Sequence, residues 1–530
     1  VHGFASIWCK TLALDMIRTN PKQTEFVDFY LPFNGRLKAS NRWVQRAAMI
    51  PWDEVEACYA ESLAGTGQGA PAKNGRIAYG ALLIKEQLGI TDEETVEQIT
   101  ENPYLQYFLG QRELLEKPLF DPSMMVHFRS RFSAEHHQRI NAKIIAAATA
   151  NEGVSDKDDP PNREDNQGGD GGSPSHAGKL LVDATCTPAD IRFPTDLSLL
   201  NEAREKTEAV IDQFHGWISG RSDEPVKKPR TYRQNARKQY LSVAKQKKPG
   251  AKKIRKAIGQ QLNYLRRNLG HIAQMADAHP GMLVRLTRYD YKCLLVIHTL
   301  YDQQRQMHSQ RAHSVADRIV SISQPHVRPI VRGKAGKRVE FGAKLSISHQ
   351  SEGYVSVDTL SWDAYNESTD LPTQIETYKE RFGYYPVSVH ADTIYRTRAN
   401  RTYCKDRGIR LSGKPLGRPK KATAENAEEL KAQNRLERQD ELDRIPVEGK
   451  FGNGKRKGTL GRIMAKLAHT SESVIHVGII VLNLDKWLAE LLLQLLPLLR
   501  SIICALSSTS ERVAVGSTSP AGYIRCSLAA

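Results

Sequence analysis

Apolar positions recur at helical spacing in three stretches of the first 150 residues. The 3.6-residue period runs through 76–90 and 92–110, and a third helix is predicted in 122–150. Thr91 or Asp92 can cap the second of these, with acids in its first turn. Three short helices suit either a helix-turn-helix DNA reader or a structural bundle. Residues 151–178 are rich in Gly, Asp, Asn and Pro and nearly lack large apolar side chains, so they read as a flexible linker. The pattern then shortens. Lys179 to Thr187 is an apolar, β-branched run containing Asp183, which predicts a buried strand. Helical spacing returns over 197–325, strand signals over 327–348 and 353–361, and a helix at about 371–382. A second short strand, Pro386 to Asp392, also ends in an acid. Residues 423–443 read as a charged helix, 446–458 are glycine-rich, and an amphipathic apolar region starts at Leu460.

These shifts suggest an order of parts. A probable upstream extension covers 1–20, with the natural start expected near Met16. A helical N-terminal domain covers 21–150 and the linker 151–178. A core is assembled from 179–196 and 326–485 around a helical insertion at 197–325. A C-terminal helix and irregular tail cover 486–530, the tail from Ser507. The longest uncharged run in the C-terminal apolar region is 12 residues, 473–484. That is short of the ~20 needed to span a bilayer, so one or two core helices are expected and no membrane partner.

Composition narrows the class. Of 530 residues, 40% are hydrophobic and 25% charged, which excludes a wholly disordered chain, a collagen and a many-span membrane protein. Seven scattered cysteines with no C-x-x-C argue against a disulfide framework or a cysteine zinc site, and point to a reducing cytoplasm. With 76 Lys+Arg against 59 Asp+Glu, the net charge is +17, and a polyanionic partner is expected. Most of the excess sits in one segment. Between Val226 and Arg267 stand Lys227, Lys228, Arg230, Arg233, Arg237, Lys238, Lys245, Lys247, Lys248, Lys252, Lys253, Arg255, Lys256, Arg266 and Arg267, with no acid. A charge run is often only a solvated face. Fifteen cations without acidic relief repel one another unless phosphates neutralise them, which favours a nucleic-acid backbone.

Asp183 and Asp392 end or interrupt short apolar strands, and an acid there is costly unless paired or bound to a cation. Glu448, in Arg444-Ile-Pro-Val-Glu-Gly-Lys450, is the third candidate. Three carboxylates suit a hard cation, Mg²⁺ or Mn²⁺, and two such ions can act on a phosphodiester. Position alone also nominates Asp190, Asp196 and Asp358. His390, beside the second strand acid, reads either as a base or ligand or as a satisfied strand-end histidine. A helix beginning at Pro446 would put Glu448 and Lys455 on one face, with Arg444 just before it and free to reach a phosphate.

Taken together the residues resemble the DDE transposases of bacterial insertion sequences, in the group numbered four and five. That group carries Tyr-x2-Arg-x3-Glu-x6-Lys, and Arg444, Glu448 and Lys455 fit its last three positions, while Glu441 stands where the Tyr belongs. Asp183-Ala-Thr with Pro194 to Arg204 resembles the first-Asp block. Val339 to Lys344 resembles the second strand, and Asp392 to Tyr395 with Asn400-Arg401 the second-Asp block. Tyr79 to Lys85 and Glu101 to Gly110 are similar to the family's N-terminal domain.

The resemblance implies an α/β fold: an RNase H-like mixed-sheet catalytic core with a helical basic insertion and a separate α-helical N-terminal domain. It implies an enzyme that cuts element ends and joins their 3′-OH to target DNA by two-metal phosphoryl transfer. Asp183, Asp392 and Glu448 would hold two Mg²⁺ or Mn²⁺ ions, and Arg444, Lys455 and the 226–267 cluster would bind DNA phosphates. Double-stranded DNA, a homodimer formed on it and a bacterial cytoplasmic, nucleoid-associated location follow. A metal-dependent nuclease without strand transfer, or an inactive DNA-binding remnant, stay open as alternatives.

Overall fold

The computed structural model describes residues 31, 35–63, 71–152, 176–221, 225–331, 339–349, 353–418, 423 and 426–514. The upstream extension, Met16, most of the linker and the last residues of the tail lie outside these.

Among the described residues seven helices come first: α1 (Arg42–Met49), α2 (Trp52–Glu61), α3 (Gly75–Leu88), α4 (Asp92–Glu101), α5 (Pro103–Phe108), α6 (Met124–Arg131) and α7 (Ala134–Glu152). Side-chain oxygens cap their starts: Asn74 accepts from the Ile77 amide, Thr91 from Glu94 and Asn102 from Tyr104. The helix expected over 92–110 breaks at Asn102–Pro103, because proline pushes its predecessor out of the helical region. The one expected over 122–150 is interrupted at Phe132–Ser133.

The N-terminal helices, expected to form a separate domain, also touch the end of the chain. Their core, with Tyr59, Tyr79, Leu83, Phe108, Phe128 and Ile144, continues without a gap into Val477, Ile480, Leu484, Trp487 and Leu488 of the last helix, α15 (Ala468–Ala514). A buried amide cluster ties the units. Asn141 donates to the Val355 carbonyl, and Asn483 donates to that carbonyl and to Asn141 Oδ1 while accepting from the Val355 amide. Helix α15 is one continuous element. Residues 507–514, expected to be irregular, are helical, in keeping with a stretch that lacks Gly and Pro.

The sheet has six strands: β1 (Lys179–Pro188), β2 (Arg328–Val331), β3 (Val339–His349), β4 (Val355–Ser361), β5 (Ser388–His390) and β6 (Arg410–Leu411). Their order is β2-β3-β1-β5-β6, with β4 also on β3. β3 runs antiparallel to β1, β2 and β4, whereas β5 runs parallel to β1 and β6 parallel to β5. The topology is consistent with an RNase H-like core. The single strand expected over 327–348 is two antiparallel strands, in keeping with Gly333 and Gly336, which interrupt the apolar run. Helix α12 (Leu371–Phe382) and α13 (Arg398–Asp406) cover one face, packing Leu371, Ile375, Tyr378 and Cys404 on Leu180, Val182 and Val389. The other face receives α14 (Ala427–Arg456) and α15, through Val447, Phe451, Ile475 and Ile479 against Leu181, Leu345 and Ile347.

Between β1 and β2 the chain forms α8 (Asp196–Ser219), α9 (Arg233–Ala244), α10 (Ala251–Ala278) and α11 (Arg288–Gln310). These helices have a core of their own, built on Leu200, Ile211, Phe214, Leu265, Ile272 and Leu300. Arg204 is buried inside it, held by Glu208, Asn201 and Gln261.

Helix α14 overturns the expectation of a charged helix, a glycine-rich break and a new helix at Pro446. It runs unbroken through Pro446, Gly449, Gly452 and Gly454. Pro446 lies on the exposed side, and so does Leu442, whose carbonyl loses its helical partner, so water can satisfy it. Gly454 is required by packing, since a Cβ there would stand 2.7 Å from a Leu460 methyl.

The closest backbone approach in the sheet is at Gly342, where a Cβ would lie 2.0 Å from the Thr187 carbonyl oxygen. Gly342→Ala is therefore expected to cost about 1–3 kcal/mol by overpacking. Gly216→Ala, on α8 with nothing within 4 Å of its Cβ, should be neutral or stabilising. Urea midpoints of the two variants check this.

Candidate active site

The register of the parallel pair β1–β5 decides where the acids meet. Leu181 pairs with His390. Two residues further along both chains come Asp183 and Asp392, side by side at the point where β5 ends and β1 continues. Asp183 and Thr185 share the β1 face that carries Leu181, which packs against α14. Asp392 begins a short turn, its Oδ1 accepting from the Thr393 amide at 2.6 Å. Asp183 Oδ1 accepts from the Ala184 amide at 2.8 Å.

Glu448 reaches this place on α14. Two contacts bracket it. Upstream, the buried Asp440 accepts both Arg410 guanidinium nitrogens, at 2.9 and 2.8 Å, binding the helix to β6. Downstream, Lys455 Nζ donates to Thr185 Oγ1 at 2.8 Å, binding it to β1. Both anchors are needed because the proline and three glycines between them make this stretch a poor helix former. Lys455, expected to bind phosphate, thus also links helix to strand. Arg444 lies inside the helix rather than before it, one turn from Glu448. Its guanidinium spans the acids, 3.7 Å from Asp392 and 3.9 Å from Glu448. Glu441 is exposed on the same helix.

The charges of Asp392, Glu448 and Arg444 all act on Asp183. Burial pushes the Asp183 carboxyl up to about 6, and the negative charges of Asp392 and Glu448 push it further the same way, while Arg444 opposes them. All three other groups are thus within coulombic reach of Asp183. Three oxygen donors that repel one another suit a hard divalent cation. Among the described residues no three His, Cys, Asp or Glu side chains stand close enough, as arranged here, to hold a metal ion. The donor chemistry fits such an ion, with Arg444 spanning two of the three donors.

Two further residues belong to the site. Arg396, which the sequence reading missed, donates to the Ala391 carbonyl at 3.0 Å and lies so close to Gly413 that a Cβ there would be 1.9 Å away. Asp440 was missed too. Its spacing from Arg444 and Glu448, four and eight residues, was the available signal.

The rival acids are engaged elsewhere. Asp190 pairs with Arg462, and Asp196 with Arg318 and Gln304. Asp358 is buried between Ser348 and Gln374, and burial pushes it up to about 7. His390 is fully buried against Ser388 and beside Asp440, as a structural strand-end histidine.

The basic cluster maps to α9, α10 and the segments flanking them. Lys227, Lys228, Arg230, Arg237, Lys238, Lys245, Lys247, Lys248, Lys252, Lys253, Arg255, Lys256, Arg266 and Arg267 are exposed. Lys228 and Arg233 both pair with Asp212, and Arg255 donates to the His308 carbonyl. Arg267 stacks on Tyr232 and Tyr264. An open groove on α9 is lined by Gln234, Arg237, Lys238, Leu241, Ser242 and Lys245. Among the described residues no helix is long and apolar enough to cross a membrane.

Strand acids, a late-helix glutamate and a mixed sheet of this order are consistent with an RNase H-like core. Comparison with known proteins narrows that class. Residues 389–485, which hold Asp392 and Glu448, match the family model described as Transposase DDE domain. Residues 32–131, which hold α1–α6, match Transposase domain (DUF772). The chain is also similar to an uncharacterized protein, ORF8 in the nfe locus of Rhizobium meliloti. The two are 27% identical over 160 residues, 30% of this chain and 68% of that protein. No solved structure matches. The two family matches support a transposase of the DDE type, acting as an enzyme on DNA.

The raised Asp183 carboxyl has a measurable consequence. The acid is harder to ionise folded than unfolded, so its penalty is full above pH 6, where it is charged in both states. It disappears below about pH 4, where it is protonated in both. Asp183→Asn should therefore stabilise the chelator-treated protein by about 1–3 kcal/mol above pH 6, and the gain should fade towards pH 4. Thermal melts at several pH values check this.

Proposed function

We propose that this protein cuts DNA at the ends of an insertion element and joins the freed 3′-OH groups to target DNA. It would belong to the group numbered four and five, with Arg444, Glu448 and Lys455 at three signature positions. The observation that supports the reading is that Asp392, two residues past the end of β5, and Glu448 on α14 both act by charge on the buried Asp183 carboxyl.

In the first step the oxygen of water bonds to the phosphorus at the element end. The P–O3′ bond breaks, leaving a 3′-OH and a 5′-phosphate. In the second, that 3′ oxygen bonds to a target phosphorus and displaces the target's own 3′ oxygen. Asp183, Asp392 and Glu448 would hold two Mg²⁺ or Mn²⁺ ions, which lower the pKa of an attacking oxygen and neutralise charge at the phosphate. Arg396 and Arg444 add fixed positive charge next to the acids, where the transferred phosphate would lie. Lys455 and the Arg410–Asp440 pair keep Glu448 in register. The exposed cations of α9 and α10 would grip the backbone without reading sequence. Recognition of the ends falls to the N-terminal helices, through groove contacts. A homodimer on DNA, in the nucleoid-containing cytoplasm of a bacterium, completes the reading.

Asp183→Asn, Asp392→Asn and Glu448→Gln should each lower nicking of an end-bearing duplex in Mg²⁺ by about a thousandfold or more, equivalent to about 4 kcal/mol of transition-state stabilisation. DNA binding should stay largely intact. Undiminished nicking by Asp183→Asn refutes the assignment. Nicking by the unaltered protein with no joining of pre-cut ends reduces it to a nuclease.

Replacing Lys252, Lys253 and Lys256 with Ser should flatten the slope of log affinity against log salt by roughly 2–3, equally for any DNA sequence. An unchanged slope places the backbone contact elsewhere.

A further inference from the structure

We propose that Arg444 is the resident counter-ion of the three-acid site: it keeps the carboxylates together before divalent cations arrive, and is displaced by them towards a DNA phosphate. The inference rests on the reading of those acids as a cation site. Arg444 Nη1 stands 3.7 Å from Asp392 and Nη2 stands 3.9 Å from Glu448. Both distances are ion pairs beyond hydrogen-bond length, so charge rather than fixed geometry holds the guanidinium. Its side chain is 19% exposed, against 54% for Asp392 and 67% for Glu448, so the cation is lodged beneath the carboxylates it serves.

The neighbouring guanidiniums differ. Arg396 is bonded to the Ala391 carbonyl, and Arg401 to the carbonyls of Arg396 and Lys414. Both are tethered to backbone, and the charge of Arg396 opposes that of Arg444. An ion of charge +2 on the same carboxylates adds to that repulsion. Arg444 then swings aside but, one turn from Glu448, stays within reach of a phosphate bound there. The planar fork of a guanidinium suits such a group. Metal and Arg444 thus compete for two of the same ligands, and each weakens the hold of the other.

The test is Mn²⁺ titration of the full chain without DNA, followed by the electron paramagnetic resonance signal of free Mn²⁺. Arg444→Gln should bind Mn²⁺ about three- to tenfold tighter than the unaltered chain, since two partly exposed ion pairs no longer oppose binding. Its affinity for an element-end duplex in Ca²⁺ should fall. Arg444→Lys, which cannot span both acids, should lie between them, and it carries the test if the Gln variant does not fold. Mn²⁺ affinity lost in Asp183→Asn but equal or weaker in the Arg444 variants overturns the counter-ion and leaves the metal site standing. Equal Mn²⁺ binding by the unaltered chain and Asp183→Asn overturns both.

Discussion

Asp183 sits in the middle of a strand paired with β3 along its length, and β5 runs parallel to the start of that strand and ends two residues before Asp392. Helix α14 then brings a third carboxylate into the same field. Like charges in a partly buried place cost free energy unless something positive joins them. Much of the core can be understood as the structure that holds this arrangement in place. The β1–β3 ladder fixes Asp183 through backbone pairing, while Asp392 is set by the turn that follows β5 two residues on. The third depends on side chains alone, Arg410–Asp440 on one side and Lys455–Thr185 on the other.

That division explains the construction of α14. A helix rich in good formers would need no external anchors, whereas this one contains Pro446 and three glycines in its last turns. Gly454 earns its place by letting Leu460 and Leu482 approach. The rest of the helix is held by Val447 and Phe451 against the sheet. Around this core the N-terminal helices are fastened to the last helix by a shared apolar interior and by the Asn141–Asn483–Val355 amide cluster. The insertion, with its separate core, is a distinct body that carries the positive charge.

Much of this could be read from the residues. The two strand acids stood out because each interrupts or ends a short β-branched run, and such runs have few alternatives. The basic insertion stood out because fifteen cations without an acid have no simple structural explanation. Other features were hidden by long-range packing. Nothing local shows that 92–110 and 122–150 share a core with residues 477–488, because that contact joins segments more than 300 residues apart. Proline and glycine correctly signalled a weak helix at 446–458, but tertiary anchors overrode the local preference. The strand expected over 327–348 is two strands, Arg328–Val331 and Val339–His349, because one apolar run hid the change of direction. Arg396 and Asp440 carried no local signal beyond spacing, since their partners are a backbone carbonyl and an arginine on another strand.

The account depends on Asp183, Asp392 and Glu448 gripping the same divalent ions beside bound DNA. Anomalous diffraction from crystals of the protein with an element-end duplex, grown in Mn²⁺, tests this most directly. The expected result is manganese density bonded to Asp183 and shared with Asp392 and Glu448, next to the phosphate at the element end. Manganese bound at other side chains, with these three carboxylates turned away from one another, would contradict it.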